Sequence, residues 1–154
     1  MREILFRGKS DAGNLWEYGY LVLQYDEYGN KGAFIVKETG AKSFVTPETV
    51  GQYTGLTDKN GIKIFEGDIV KQTFETTIKI DDYDSLDIFG YDAGEAIIIP
   101  SKGACIKNPY QYREENGEII KNYEKTKMCK NIALYRCEII GNIYDNPELL
   151  EVKK

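Results

Sequence analysis

The densest group of turn signals in this chain lies between Tyr53 and Val70 and restricts it to short strands joined by tight turns. Asn60-Gly61 is typical of a type I′ hairpin turn, which needs a positive φ at both central residues. Glu66-Gly67-Asp68 then interrupts an alternating stretch, where glycine permits a sharp corner and the flanking acids can accept hydrogen bonds from free N–H groups. These turns predict a small, strongly bent sheet or barrel. We assign a structural role to the turn residues Asn60, Gly61, Glu66, Gly67 and Asp68.

Strand-like alternation continues on both sides of that block. Every second residue from Trp16 to Val22 is aromatic or apolar, so residues 15–24 are predicted to form a strand with an aromatic face. A last long strand is predicted over residues 133–140. Helix signals are confined to Thr46-Pro47-Glu48 and Asn146-Pro147-Glu148, where only about one turn can follow. The sequence therefore predicts a mainly β fold with one or two short helices.

The chain contains no histidine, and this absence excludes several kinds of site. Ser-His-Asp catalysis, Cys-His catalysis and His-containing zinc sites all require that residue. The three cysteines, Cys105, Cys129 and Cys137, form no C-x-x-C pair, and a three-thiolate metal site would need a further ligand from a carboxylate or another chain. We interpret them as reduced thiols and predict no catalytic residue, no cofactor and no metal site.

The charge balance argues against general nucleic-acid binding. A net charge of −5 and a pI near 4.9 leave the whole chain without the positive charge that supplies most non-specific affinity for phosphates. The lysines at 121, 125, 127 and 130 are mixed with glutamates, which indicates a solvated face of both signs. The start of the chain has no signal-peptide pattern, and no apolar run approaches the roughly 20 residues that span a bilayer. We expect a cytoplasmic protein with no membrane partner.

The segment from Asp81 to Asp92 mixes carboxylates with apolar side chains. Its acids could hold Mg²⁺ for phosphoryl chemistry, yet no glycine-rich phosphate loop or catalytic lysine motif accompanies them. A solvated loop explains the acids better, but it does not explain the interleaved apolar residues. Either these apolar residues dock on the core, or they form an exposed surface for a protein partner, and for that surface we name Tyr83, Leu86, Phe89 and Tyr91.

Two long blocks of the sequence carry a family resemblance. The first includes Pro47-Glu48-Thr49-Val50-Gly51-Gln52-Tyr53-Thr54-Gly55-Leu56 and continues to Ile64-Phe65-Glu66-Gly67-Asp68-Ile69-Val70. The second is the ending Glu138-Ile139-Ile140-Gly141-Asn142-Ile143-Tyr144-Asp145-Asn146-Pro147-Glu148-Leu149-Leu150. In this order, the two blocks closely resemble the YopX family of phage and prophage proteins.

The resemblance implies a β-rich fold with a small barrel of the Src-homology-3 type (SH3-like). It also implies an origin in a phage or integrated prophage and a location in the cytoplasm of the bacterial host. It implies no activity, so no catalytic or binding residue can be carried over. We expect a single YopX-like domain over residues 1–154, with a core of about residues 1–75 and 95–150 and a variable insertion at about 76–130.

Three functions remain open from the sequence. The leading hypothesis is a non-enzymatic binding or assembly module that acts through protein–protein contacts, including contacts with copies of itself in a homo-oligomer. The alternative is a nucleic-acid-associated phage protein that uses a small β-barrel with aromatic stacking. The third is a metal-dependent enzyme that uses the acidic loop through Asp81, Asp82 and Asp84.

Overall fold

β-strands dominate the fold. The computed structural model describes residues 3–151, apart from the side chains of residues 121–124, so Lys121 of the predicted mixed-charge face lies outside the described side chains. Strands contain 60% of the residues and helices 7%, which confirms the prediction of a mainly β protein. Of the helices within residues 3–151, none has the length and hydrophobicity to span a membrane.

The chain divides into two compact units, residues 1–55 and residues 56–154. Each unit has its own buried apolar cluster. The single family domain and its insertion at about 76–130 stay a prediction.

Six strands form the first sheet. They are β1 (Phe6–Lys9), β2 (Trp16–Tyr25), β3 (Lys31–Val36), β4 (Lys42–Val45), β5 (Gly51–Thr57) and β6 (Lys63–Phe65). Their order across the sheet is β4-β3-β2-β1-β5-β6, and β5 passes from the first unit into the second. A 3-10 helical turn, Pro47–Thr49, precedes β5 as predicted, but the Thr46 hydroxyl donates to Asp11 instead of capping that turn.

The first unit buries one face of this sheet. Ala33, Ile35 and Val45 are almost completely buried, and Phe6 and Leu21 pack against them. Because strand side chains alternate, the residues between them on β2, β3 and β4 point away from this cluster. The predicted strand over residues 15–24 is confirmed as β2.

Long strands build the second sheet. They are β7 (Asp68–Lys79), β8 (Ser85–Ile99), β9 (Gly103–Glu115), β10 (Glu118–Lys125), the short β11 (Lys130–Asn131) and β12 (Cys137–Asn142). The order is β10-β9-β8-β7-β12, and β11 pairs with β9. The buried cluster of the second unit contains Ile64, Val70, Ala96, Ile106 and Cys137.

Neither sheet closes into a barrel within the described residues, so the SH3-like barrel is not confirmed. Closure requires the last strand of a sheet to hydrogen-bond with the first. Instead, β4 and β6 stand at opposite ends of the first sheet, and β10 and β12 stand at opposite ends of the second. A single isolated bridge, Ser10 to Val45, links the end of β4 to the residue after β1.

Two sequence predictions place loop and strand incorrectly. The prediction of an acidic loop over residues 81–92 is wrong for most of that length. Residues from Ser85 onward belong to β8 and pair with both β7 and β9. The predicted strand over 133–140 begins only at Cys137. Before it, Leu134–Arg136 forms a 3-10 turn, and the Ala133 N–H donates to the buried Gln72 side chain at 2.7 Å.

Candidate functional site

The turn after β5 is organised by Asp58. Oδ1 of Asp58 accepts the N–H groups of Asn60 and Ile62 at 2.9 and 3.0 Å, and Oδ2 accepts the N–H of Ile139 at 3.2 Å. Of Asn60-Gly61, only Gly61 has a positive φ, +79°, so the predicted type I′ geometry is wrong. The loop instead has three residues and ends in a left-handed glycine, because the Asp58 carboxylate holds the turn from inside.

Charge on Asp58 contributes to folding. Burial raises the pKa of this carboxyl, but the backbone donors of Ile62, Ile139 and Asn60, together with Lys59, outweigh burial and lower the pKa below 3.8. A folded-state pKa below the unfolded value stabilises the fold above about pH 3.8, and this stabilisation is lost as the pH falls through the folded-state pKa.

We expect Asp58→Asn to lower the free energy of unfolding by about 1–3 kcal/mol at pH 7, because an amide NH₂ replaces an acceptor of a buried N–H. As the pH falls through the folded-state pKa of Asp58, the difference from the wild type shrinks, since the wild-type carboxyl then becomes protonated as well. Urea unfolding of both proteins over a series of pH values from 7 downward measures this. A difference independent of pH would contradict the role of the charge.

Glu66-Gly67-Asp68 forms the corner between β6 and β7. Gly67 has a φ of +87°, and its N–H donates to the Ala96 carbonyl at 3.0 Å. The buried Asp68 carboxylate accepts the N–H of Phe65 at 2.8 Å, and Glu66 accepts the N–H of Ile98 at 3.4 Å. These bonds give the motif a structural cause of the kind that the sequence indicated.

The four residues of the predicted partner surface do not share one face. Leu86, Phe89 and Tyr91 lie on β8, where alternation directs Leu86 to the side opposite Phe89 and Tyr91. Tyr91 stacks on Tyr112 with ring centroids 5.2 Å apart and lies 4.2 Å from the Lys71 ammonium, so it is held within the sheet face. Tyr83 alone stands in the turn between β7 and β8.

That turn is strongly acidic, and we call residues 81–84 the acidic turn. Its sequence is Asp81-Asp82-Tyr83-Asp84, and the Tyr83 side chain is 100% exposed. The Asp81 carboxylate accepts the N–H groups of Tyr83 and Asp84 at 2.8 and 2.9 Å, which fixes the turn. Within residues 3–151, no hydrogen bond or ion pair engages the carboxylates of Asp82 and Asp84.

The other acids of this region are occupied by the fold. Asp87 accepts the Thr77 hydroxyl at 2.7 Å, and the buried Asp92 pairs with the Lys130 ammonium at 2.7 Å and the Gln111 amide at 3.1 Å. In the described part of the chain, no three Asp, Glu or Cys side chains converge as metal ligands.

The cysteines are free thiols. Burial is the main cause that raises the pKa of Cys137 to about 12 and also raises the pKa of Cys105. A thiol with a raised pKa carries little thiolate at neutral pH and is a poor nucleophile.

A surface that the sequence predictions missed lies on the outward face of β2, β3 and β4. Cross-strand pairing joins Tyr20 to Val36, Val22 to Phe34, and Phe34 to Phe44, so these five side chains are neighbours on one face. Tyr20 is 53% exposed, Val22 47% and Phe44 62%. We call this set the outer patch: Tyr20, Val22, Phe34, Val36 and Phe44.

The outer patch borders a shallow cavity. The Phe34 and Phe44 rings lie 4.1 Å apart, and with Gln24, Asp26, Asn30, Lys31 and Gly32 they line a depression of about 280 Å³. Small-molecule sites usually enclose 300–1,000 Å³ and bury most of the ligand. A depression of this size on an open sheet face is better suited to a single side chain.

The sequence of β3 contains a pattern that indicates an exposed apolar face. Lys31–Val36 reads Lys-Gly-Ala-Phe-Ile-Val, with apolar residues on both faces of a six-residue strand. Such a strand is either buried on both sides or exposes one apolar side. The aromatic face of residues 15–24 was predicted, but its exposure depends on which face the core covers.

Of the comparisons with known proteins, the family model agrees with the resemblance found in the sequence. The chain is similar to protein EF1440 from Enterococcus faecalis, whose crystal structure aligns with 22% identity over 98% of this chain and 100% of that chain, at a TM-score of 0.40. No curated protein matches the chain. The YopX protein family model matches residues 5–151, which is nearly the whole length. The chain therefore belongs to the YopX family.

Proposed function

We propose that this YopX-family protein is a non-enzymatic binding or assembly module that acts through protein–protein contacts, with the outer patch as its contact surface. The observation that carries the proposal is the contiguous exposure of aromatic and β-branched side chains on one sheet face. Monomeric proteins rarely leave such patches uncovered, and exposed aromatic residues are enriched at the centres of interfaces.

The fold does not require this surface to be apolar. The core of the first unit lies on the other face of the sheet, where Ala33, Ile35 and Val45 are buried. Polar residues at the outward positions would leave that cluster intact, and most solvated sheet faces carry them. The apolar side chains of the outer patch therefore lack a structural cause within the first unit.

A protein partner is favoured over nucleic acid at this surface. Residues 1–55 contain six basic and seven acidic residues, so the unit provides little neutralisation of phosphates. Two of the five patch side chains are valines, which offer no ring for a base to stack on. Aliphatic and aromatic side chains together fit the apolar side chains of a protein better.

The setting of this function is proposed from the family resemblance. We propose that the protein acts in the cytoplasm of a bacterium that carries the phage or prophage, where phage-encoded and host proteins are available as partners. The absence of histidine, which removes the commonest general base, supports a non-enzymatic role.

A photo-reactive phenylalanine analogue at position 44 tests the contact surface. We expect it to form protein adducts in producing cells, whereas the same analogue at the exposed Ile62 does not. Adding Tyr20→Ser and Val22→Ser to the position-44 protein should abolish the adducts, and the same double substitution should weaken binding of the purified partner more than tenfold.

Two outcomes would overturn the proposal. Equal adducts at positions 44 and 62 would mean that the outer patch has no preference for a partner. Adducts that nuclease removes would assign the surface to nucleic acid instead, and their yield should then fall steeply with added salt.

A further inference from the structure

Two exposed surfaces of this chain carry opposite charges beside aromatic rings. The acidic turn presents one fully exposed aromatic ring between carboxylates, and the cavity beside the outer patch presents two rings, with Lys31 in its lining and Lys42 in the neighbouring part of the groove. The turn belongs to the second unit and the cavity to the first.

The acidic turn is preorganised for contact. Two hydrogen bonds to the Asp81 carboxylate and the bond from the Ile80 N–H to the Asp84 carbonyl, at 3.0 Å, hold its backbone. The backbone that carries Tyr83 is therefore held in place, which lowers the backbone entropy lost on binding. Ile78 and Ile80, both exposed, extend an apolar surface beside it.

The cavity side carries two lysines. Lys31 lines the depression at Phe34 and Phe44, and Lys42 lies beside Phe34 and Val36 in the neighbouring part of the groove. Neither lysine has an ion pair within the described residues.

The one carboxylate in the cavity wall is occupied. Asp26 accepts the N–H groups of Tyr28 and Asn30 and the Asn30 side-chain amide, at 2.9, 2.8 and 2.7 Å. The bonds to Asn30 are the main cause that lowers the pKa of Asp26. Asp26 therefore keeps its negative charge, and the two lysines, Lys31 and Lys42, against this one carboxylate leave the lining of the groove with a net charge of +1.

We propose that the acidic turn of one copy docks on the outer patch of a second copy, with the Tyr83 ring against Phe34 and Phe44. Asp82 and Asp84 of the docking copy then face Lys31 and Lys42 of the receiving copy. This inference rests on the proposed function, because it names a second copy of the chain as the protein that covers the outer patch.

The contact is head-to-tail. Each copy uses its acidic turn as a donor and its outer patch as an acceptor, so the two sides of the interface differ. Heterologous contacts of this kind produce rings when the rotation closes and open filaments when it does not. Because the charged groups stay near solvent, the association should weaken as salt is added.

Complementary variants test the contact by sedimentation velocity. The turn variant carries Tyr83→Ala, Asp82→Asn and Asp84→Asn, and keeps Asp81 so that the turn still forms. The patch variant carries Phe44→Ser and Lys31→Glu. We expect the wild type to form assemblies that grow with concentration, and each variant alone to be monomeric.

An equal mixture of the two variants is the decisive sample. The turn variant retains a working patch and the patch variant retains a working turn, so the mixture should form dimers and nothing larger. Tyr135→Ala and Leu15→Ser alter equally exposed apolar residues elsewhere and should assemble as the wild type does. Circular dichroism checks that every variant keeps its strand content.

A wild type that remains monomeric up to millimolar concentration would overturn the inference, as would assemblies that survive in the turn variant or a mixture that stays monomeric. These results leave the proposed function standing if the position-44 analogue still forms adducts with another protein. Loss of both the self-association and the position-44 adducts would remove the proposed function as well.

Discussion

Ile106→Ala is expected to lower the free energy of unfolding by about 3–4 kcal/mol. Ile106 is completely buried and packs in the cluster with Ile64, Val70 and Cys137. These neighbours lie on β6, β7 and β12, whose backbones are fixed by pairing, so the walls of the new cavity cannot collapse to fill it. Urea unfolding followed by circular dichroism at pH 7 measures the loss.

Ile119→Ala is the matched control. Ile119 lies on β10 and is largely exposed, so the same chemical change should alter stability by less than about 0.5 kcal/mol. A similar loss from both substitutions would contradict the assignment of Ile106 to the core.

Gly90→Ala is expected to destabilise the second unit by about 3 kcal/mol, through overlap rather than through a cavity. Gly90 lies in the middle of β8, where an added Cβ would overlap the Tyr112 carbonyl oxygen and come within 2.5 Å of the Phe74 ring. The ring can move, but the carbonyl belongs to the paired strand β9. Thermal unfolding should show a decrease of several degrees in Tm.

Gly32→Ala separates this overlap from a general effect of glycine substitution. Gly32 is also a strand residue, and its added Cβ would meet only the Gln24 carbonyl at 3.7 Å, an ordinary contact. Its Tm should equal or slightly exceed that of the wild type, since alanine restricts the unfolded chain. A larger decrease at Gly32 than at Gly90 would contradict the steric explanation.

Local chemistry predicted those elements whose causes lie within a few residues. Alternation from Trp16 to Val22 identified β2. In the structure, the Asn-Gly dipeptide at residues 116 and 117 forms a tight hairpin with a positive φ at both residues. The same dipeptide at Asn60-Gly61 behaves differently because Asp58 binds both the turn and Ile139. A bond to a residue so distant in sequence leaves no trace in the local pattern.

Contacts with residues distant in sequence also explain the two segments whose secondary structure was predicted incorrectly. Residues 85–92 are acidic enough to suggest a loop, yet they pair on both sides with β7 and β9, which no local propensity describes. Alternation over Ala133–Ile140 suggested one strand, but Gln72 holds Ala133 and the chain turns before β12 begins.

The candidate site was predicted only in part. Tyr83 is exposed as a partner residue should be, whereas Tyr91 contributes to a stack on its own sheet. The outer patch could not be located from sequence, because alternation identifies two faces but not which one the core covers. The strand register is needed to show that Val36 is a neighbour of Tyr20 and that Phe44 is a neighbour of Phe34.

The bond between Asp58 and Ile139 can form only after most of the second unit has been synthesised. Asp58 and Ile139 are 81 positions apart. In addition, one edge of β7 stays unpaired until β12 has been synthesised. Contacts this distant in sequence slow folding, and an unpaired edge strand invites association with other chains. A nascent chain that stops before Cys137 should therefore aggregate, because the second edge of β7 is paired only after β12 has been synthesised.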